Sequence, residues 1–255
     1  MTDTRIPKII HFCWFGKKPL PTLAEKCIAS WEKYLPDYEI KRWDETNFDV
    51  NITPYTSQAY SAGKYAFVSD YARFWILYNY GGIYFDTDVE IIKPIYDIIE
   101  NGPFMGCENM SIPDNNASSI GVAPGLGIAA YPRHSFYKKI LSFYEKLEFL
   151  DCDGASNLKT IVEYTSELLC QSGLKNTPNI QTIEGINIYP KEYFCPLSPT
   201  LVLDLTENSR TIHHYSASWE SKMVKFRKKI KRTIGYKTVT LIQPTISYLR
   251  KFLRK

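Results

Sequence analysis

The apolar positions of this chain fall into short buried runs that alternate with helical stripes. IPKIIHFCWFG (6–16) is an apolar run closed by glycine, which predicts a buried first strand. KKPLP is a loop. TLAEKCIASWEKYLP (22–36) carries Leu23, Cys27, Ile28 and Trp31 at helical spacing until Pro36 stops it. YEIKRW (38–43) alternates as a strand does. SQAYSAGKYAFVSDYARFWILYNYGG (57–82) predicts a helix with a strongly apolar last stretch, ended by Gly81 and Gly82. IYFDTDVEII (83–92) is the next strand, with Pro94 after it. Strand, helix, strand, helix, strand predicts an α/β sheet with mostly parallel connections.

Further on, SIPDNNASSIGVAPGLGIAAYP (111–132) is rich in turn formers and predicts short strands mixed with loops. HSFYKKILSFYEKLEFL (134–150) and NLKTIVEYTSELLCQSG (157–173) read as helices, the second with Gly173 near its C-cap. IQTIEGINIYPKEYFCP and RTIHHYSASW read as strands and loops, and no internal repeat is visible. The 255 residues suit one large domain with an appendage, and a hydrophobic fraction of 44% is ample for a core. The six cysteines include no C-x-x-C pair, so they predict neither a disulfide framework nor a zinc site, and a reducing cytosol is the simplest reading. MTDTRIPKII has no apolar h-region, which predicts no signal peptide, and no run of about 18 apolar residues predicts a membrane span.

Charge divides the chain. The first 220 residues hold 19 basic and 27 acidic side chains, a net −8, whereas residues 221–255 hold 12 basic and none acidic. The expected organisation is therefore an acidic globule, 1–220, and a basic C-terminal segment, 221–255. In that segment apolar residues recur at 223, 226, 230 and 234 and at 242, 246, 249 and 253, which fits helix faces with Lys and Arg opposite. Such a segment suits an anionic membrane surface. Nucleic-acid binding and a merely solvated tail are the competing readings, and the acidic body argues against nucleic acid.

The candidate chemistry sits at GGIYFDTD (81–88). On a strand, Asp86 and Asp88 would share one face. Two carboxylates that close repel unless neutralised, and a hard divalent cation such as Mn²⁺ or Mg²⁺ does this. The alternative is a pair of exposed acids at a strand end. Asp70 and Arg73 lie at i, i+3 within FVSDYARFW. Two readings stand level: a structural ion pair, or Asp70 on ribose or sugar hydroxyls with Arg73 facing sugar or phosphate. GVAPGLGIAAYPRHS (121–135) reads either as a plain turn region or as the wall of a sugar pocket.

Taken together, IPKIIHFCWFG, SW…YEIKRWDE, YAFVSDYARFWILYNYGGIYFDTDVEIIKPI and HHYSASW resemble the DXD-containing glycosyltransferases of the yeast α-1,6-mannosyltransferase and bacterial capsular polysaccharide type, with the clostridial toxin glucosyltransferases as further relatives. The match covers residues 5–95 and a short block at 211–219. The resemblance implies a GT-A fold, Rossmann-like, binding a nucleotide sugar and a divalent metal, with retention at the anomeric carbon. It places Trp14 on the base, with the backbone of Phe12 and Cys13 beside it. Ser69, Asp70 and Arg73 match the segment that holds ribose and donor sugar, and Tyr84 should lie near the phosphates or base. Asp86 and Asp88 match the DXD, with Asp88 on the metal directly. Trp219 should cover the diphosphate, Ser218 should reach metal or phosphate, and of His213 and His214 the second is expected to complete the metal shell.

The activity this implies is transfer of a hexose from a nucleotide sugar, UDP-galactose or UDP-glucose, to a lipid-linked or oligosaccharide acceptor in surface polysaccharide synthesis. Asp86, Asp88 and Arg73 carry the chemistry, at the inner face of the cell membrane. A protein acceptor, as for the toxins, is the rival. A non-catalytic module binding membrane or nucleic acid through the basic segment is the reading from another class.

Overall fold

The first apolar run becomes β1 (Ile9–Cys13), an inner strand paired in parallel with β2 (Glu39–Trp43) on one side and β3 (Gly82–Tyr84) on the other. The computed structural model describes residues 5–110, 120–198 and 202–216. The chain divides into two compact units, Met1–Tyr215 and Ser216–Lys255, and all the described helices and strands belong to the first. The basic segment expected over 221–255, with its amphipathic helices, lies outside the described residues.

Helix α1 (Thr22–Tyr34) connects β1 to β2 as its spacing predicts. The single helix expected over 57–82 is two. Helix α2 (Pro54–Ser61) starts early because Thr53 and Thr56 form a reciprocal capping box with Pro54 at the first turn. It stops because Gly63 takes a left-handed φ of 68°. Helix α3 (Tyr65–Tyr80) then runs back along the sheet to Gly81.

The strand expected over 83–92 is also broken. After β3 the Val89 N–H donates to the Asp86 carbonyl at 3.0 Å, closing a turn over the polar Asp-Thr-Asp sequence. β4 (Val89–Ile91) thereby leaves the main sheet, so Asp86 and Asp88 do not share a strand face. They occupy the turn instead.

The rest of the chain completes the sheet. Helix α4 (Tyr96–Glu100) leads to β5 (Phe104–Met110), then β6 (Ile120–Val122), a 3₁₀ turn over Pro124–Leu126 and β7 (Ile128–Ala130). Helices α5 (Ser135–Tyr144) and α6 (Ile161–Gln171) follow; a Thr160–Glu163 capping box starts α6. β8 (Gln181–Ile183) and β9 (Ile186–Tyr189) form a hairpin whose two turn residues, Glu184 and Gly185, both have positive φ. Helix α7 (Lys191–Phe194) and β10 (Thr211–His213) end the unit. The strand order is β2-β1-β3-β7-β5-β9-β8, with β6 on β5. Five of these eight strands run one way, the mostly parallel α/β sheet expected of a GT-A fold; β6, β7 and β8 run against them. β10 pairs antiparallel with β4 in a separate two-stranded ribbon. Among the described residues no helix is long and apolar enough to cross a membrane.

Strand alternation sorts the core into two layers. Ile10, Phe12, Ile83 and Phe85 pack with Trp31 of α1 on one face. Cys13 and Tyr84 point to the other, where α3, α5 and α6 supply Tyr71, Phe74, Leu77, Tyr137, Tyr144 and Tyr164. This parity puts Tyr84 against α3.

His11 is fully buried on the α3 face and is held in one tautomer. Its Nδ1 accepts from the Trp43 indole N–H at 3.0 Å, so its proton sits on Nε2, which donates to the Gly81 carbonyl at 2.9 Å. Burial pushes its pKa down to about 4. A histidine whose folded pKa lies below the unfolded value contributes stability that is present above pH 6.5 and lost as pH falls towards 4, up to about 3 kcal/mol in this case. Nitrogen NMR of the ring is expected to show a neutral Nε2–H tautomer persisting below pH 5. Urea titrations should lose more stability between pH 6.5 and 4.5 in wild type than in His11→Gln. A ring titrating near 6.5 would contradict this.

Candidate active site

The carboxyl ends of β1 and β3 lie side by side, and open α/β sheets bind ligands at such ends. Because α3 runs back along the sheet before β3, its early turns lie at that same edge. Asp70 and Arg73 stand there, 9% and 4% exposed. Arg73 Nη2 forms ion pairs with Asp70 Oδ1 at 2.8 Å and Asp86 Oδ1 at 3.3 Å, and its Nε donates to the Ser69 carbonyl at 3.1 Å. Its guanidinium lies over the Tyr84 ring, 5.0 Å from the centroid. The Tyr84 hydroxyl donates to the same Asp86 Oδ1 at 3.0 Å. Asp70, Arg73, Tyr84 and Asp86 are thus linked by ion pairs and one hydrogen bond, and the ion pair expected between Asp70 and Arg73 is present.

Asp86 is also held from the far side. Its backbone N–H donates to the Gly125 carbonyl at 3.0 Å. A Cβ on Gly125 would lie 2.0 Å from Asp86 Oδ2 and 3.3 Å from Arg73 Nη1. The glycine-rich segment seen in the sequence therefore forms a wall of this site, and Gly125 is its point of closest approach.

Asp88 faces β10. Its Oδ1 lies 3.2 Å from Nε2 of His213. His214 points elsewhere: its Nε2 lies 2.7 Å from Glu90 Oε2, and Glu90 also pairs with Lys26 of α1. The histidine ring that reaches Asp88 is therefore that of His213, because successive strand residues project to opposite sides and register sets His213 against Val89, while His214 meets Asp88 through its backbone N–H on the Asp88 carbonyl at 2.9 Å.

The remaining expected residues divide. The Cys13 side chain lies in the field of Arg73, Tyr84 and Asp86, and burial pushes its thiol up to about 12. Phe12 turns to the opposite layer, edge-on to Trp31, so only its backbone can serve a ligand at this edge. Trp14 follows β1 directly; its indole N–H donates to the Lys18 carbonyl at 2.7 Å and ties the loop around Gly16. Ser69 Oγ donates to the Tyr65 carbonyl, so the residue acts on the site through its own carbonyl and Arg73. Ser218 and Trp219 lie outside the described residues.

Burial raises the pKa of Asp70 to about 7 despite Arg73, and it raises Asp86 too, aided by the charge of Asp88 and opposed by Arg73 and His213. Burial opposes charge on His213, yet its hydrogen bond to Asp88 and the nearby carboxylates hold it up at about 10. Three carboxylates thus face two cations, leaving the site short of positive charge. Among the described residues no three His, Cys, Asp or Glu side chains form a ready-made metal cage. Two carboxylates with open positions nonetheless fit a hard divalent cation whose other ligands are water and phosphate oxygens.

Residues 21–105 match the model of the "Glycosyltransferase sugar-binding region containing DXD motif". The matched stretch includes Asp86 and Asp88. An inositol phosphoceramide mannosyltransferase of Schizosaccharomyces pombe is 34% identical over 95 residues, 33% of this chain and 24% of its own length. The chain thus spans about a quarter of that curated relative. An uncharacterised glycosyltransferase of Acanthamoeba polyphaga mimivirus is 28% identical over 217 residues, 76% of this chain and 79% of that one. Among solved structures, a glycosyltransferase involved in glycosylation of the major capsid of the virus PBCV-1 is 12% identical with a TM-score of 0.43, covering 83% of this chain and 95% of that one. The glycosyltransferase region contains Asp70, Arg73, Tyr84, Asp86 and Asp88 but neither Gly125 nor His213, which reach the DXD turn only through the fold.

Proposed function

We propose that this protein is a retaining, metal-dependent glycosyltransferase that moves a hexose from a nucleotide sugar to a lipid-linked or oligosaccharide acceptor in surface polysaccharide synthesis. The observation that carries the proposal is the Asp86–Asp88 turn at the carboxyl edge of β3, with Asp86 fixed by Arg73 and Tyr84 and Asp88 by His213. A bound Mn²⁺ or Mg²⁺ supplies Lewis-acid stabilisation of the leaving diphosphate. The acceptor hydroxyl attacks the anomeric carbon from the face the diphosphate leaves. The bond from that carbon to the phosphate oxygen breaks, the bond to the acceptor oxygen forms, and the hydroxyl proton passes to a diphosphate oxygen. The Arg73 guanidinium, prepositioned by Asp70 and Ser69, adds fixed positive charge beside the reacting group. His213, in place of His214, serves the metal–diphosphate end. A uridine nucleotide with galactose or glucose is the favoured donor, and the mannosyltransferase relative makes GDP-mannose the second to test. Residues 1–220 form the catalytic part, and the basic segment 221–255 docks it on the inner membrane face near its acceptor.

Thermal denaturation with UDP, GDP and their common sugars, with and without Mn²⁺, tests the donor site. A ligand at 100 times its Kd stabilises the fold by about 2.7 kcal/mol. A manganese-dependent rise in Tm for one nucleotide, lost in Asp88→Asn, is expected. A rise of equal size in Asp88→Asn, or none in wild type, would count against the reading.

A further inference from the structure

β5 ends at the same edge of the sheet as β3, since both run in the direction of β1 with β7 running back between them. Close to that end its pairing with β6 slips: Cys107 is opposite Val122 and Asn109 opposite Gly121, so Glu108 is the extra residue of a β-bulge. A bulge re-aims a side chain, and bulges collect beside functional sites. The strand opposite offers no side chain, because Gly121 faces the bulge; a Cβ there would meet Asn109 Oδ1 at 2.2 Å and Glu108 Cγ at 3.3 Å.

Glu108 is half-buried. Burial pushes its pKa up, while His213 and Lys191 at the start of α7 pull it down. Glu108 therefore lies within the field of the histidine that touches Asp88. Among the described residues no hydrogen bond or ion pair closes on its carboxylate. The carboxylate oxygens are not sealed from solvent, so they are open to accept hydrogen bonds from a ligand that enters this edge in place of water. Diphosphate oxygens bring no donors and carry like charge. Sugar hydroxyls are donors, and the transferred hexose is bonded directly to the diphosphate.

We propose that Glu108 is a specificity residue whose carboxylate accepts hydrogen bonds from hydroxyls of the transferred hexose. The proposal rests on the glycosyltransferase reading and adds a contact from β5, beyond the matched sugar-binding region. It assigns the hexose to the side of the DXD turn that faces the β5 bulge.

The test compares a free nucleotide with its hexose conjugate. Calorimetric titration with Mn²⁺ takes wild type through UDP, UDP-glucose and UDP-galactose, and through GDP and GDP-mannose. The best pair is then repeated on Glu108→Gln and Glu108→Ala. Glutamine keeps the shape of the side chain, and circular dichroism and Tm check that both variants fold. Affinity for the free diphosphate is expected to stay within about twofold of wild type, while affinity for the nucleotide hexose falls about tenfold or more, as for a lost hydrogen bond to a charged group. Equal losses for both ligands would make Glu108 a structural or phosphate-end residue and overturn the proposal. Unchanged binding with impaired transfer would move it to the acceptor and overturn it as well. Wild-type protein that binds no nucleotide would overturn the glycosyltransferase reading itself, and this assignment with it.

Discussion

Gly125→Ala is expected to reduce donor turnover by about 100-fold or more, measured as metal-dependent hydrolysis of the nucleotide sugar, while the protein stays folded. The backbone at Gly125 is not in the left-handed region, so alanine brings no conformational strain of its own. The whole effect comes from one methyl group 2.0 Å from Asp86 Oδ2. Asp86 is short and cannot swing a flexible end aside. Its other oxygen is held by Arg73 and Tyr84, and its N–H by the carbonyl of Gly125 itself. Either the carboxylate rotates and loses these partners, or the 3₁₀ turn retreats and widens the site. Both displace a reacting group by around an ångström, the scale of error that costs about two orders of magnitude in rate. Turnover within fivefold of wild type would show that Asp86 does not need this position.

Arg73→Met is expected to destabilise the fold by about 3–5 kcal/mol, because it leaves carboxylates buried without their cation. Methionine keeps much of the stem, so lost packing is a minor part. The loss should depend on pH in a defined direction. Burial already holds Asp70 near 7, well above its unfolded value, so Asp70 opposes folding when ionised and the opposition fades as pH falls below about 7. Without Arg73 that penalty grows. Urea unfolding should therefore show a larger deficit at pH 8 than at pH 5.5, and Asp70→Asn combined with Arg73→Met should recover part of it. A deficit below about 1 kcal/mol, flat with pH, would place the pair in the class of weak surface bridges.

The order of the early elements was legible because local signals and the fold agree there. β1, α1 and β2 form where periodicity and Pro36 put them. The two breaks that were not legible, at Gly63 and at Asp86–Asp88, have one cause: the apolar pattern resumes just beyond each, while glycine and turn chemistry decide the backbone in between. Which histidine ring reaches Asp88 was not legible for a different reason. Which of two adjacent strand residues faces a site depends on register, and the register of β10 is fixed by β4, far away in sequence. Gly125 and Glu108 are less legible still. A glycine within a loop and a glutamate at the end of a strand carry no local signal, and only the sheet order brings them to the edge where β3 ends.

The ribbon of β4 and β10 joins residues 89–91 to residues 211–213, and between them it clasps the Asp86–Asp88 turn to His213. Closing so long an intervening segment is entropically costly and slow. The half of the site on β3 and α3 is built from neighbours in sequence and needs no such closure. Assembly of the site is thereby ordered in time. A nascent chain can form the β3 and α3 half early, but the clasp needs residues 211–213, close to the end of the first unit. On the proposed function, catalytic competence then requires a completed first unit, and partly synthesised chains lack the clasp on the DXD turn.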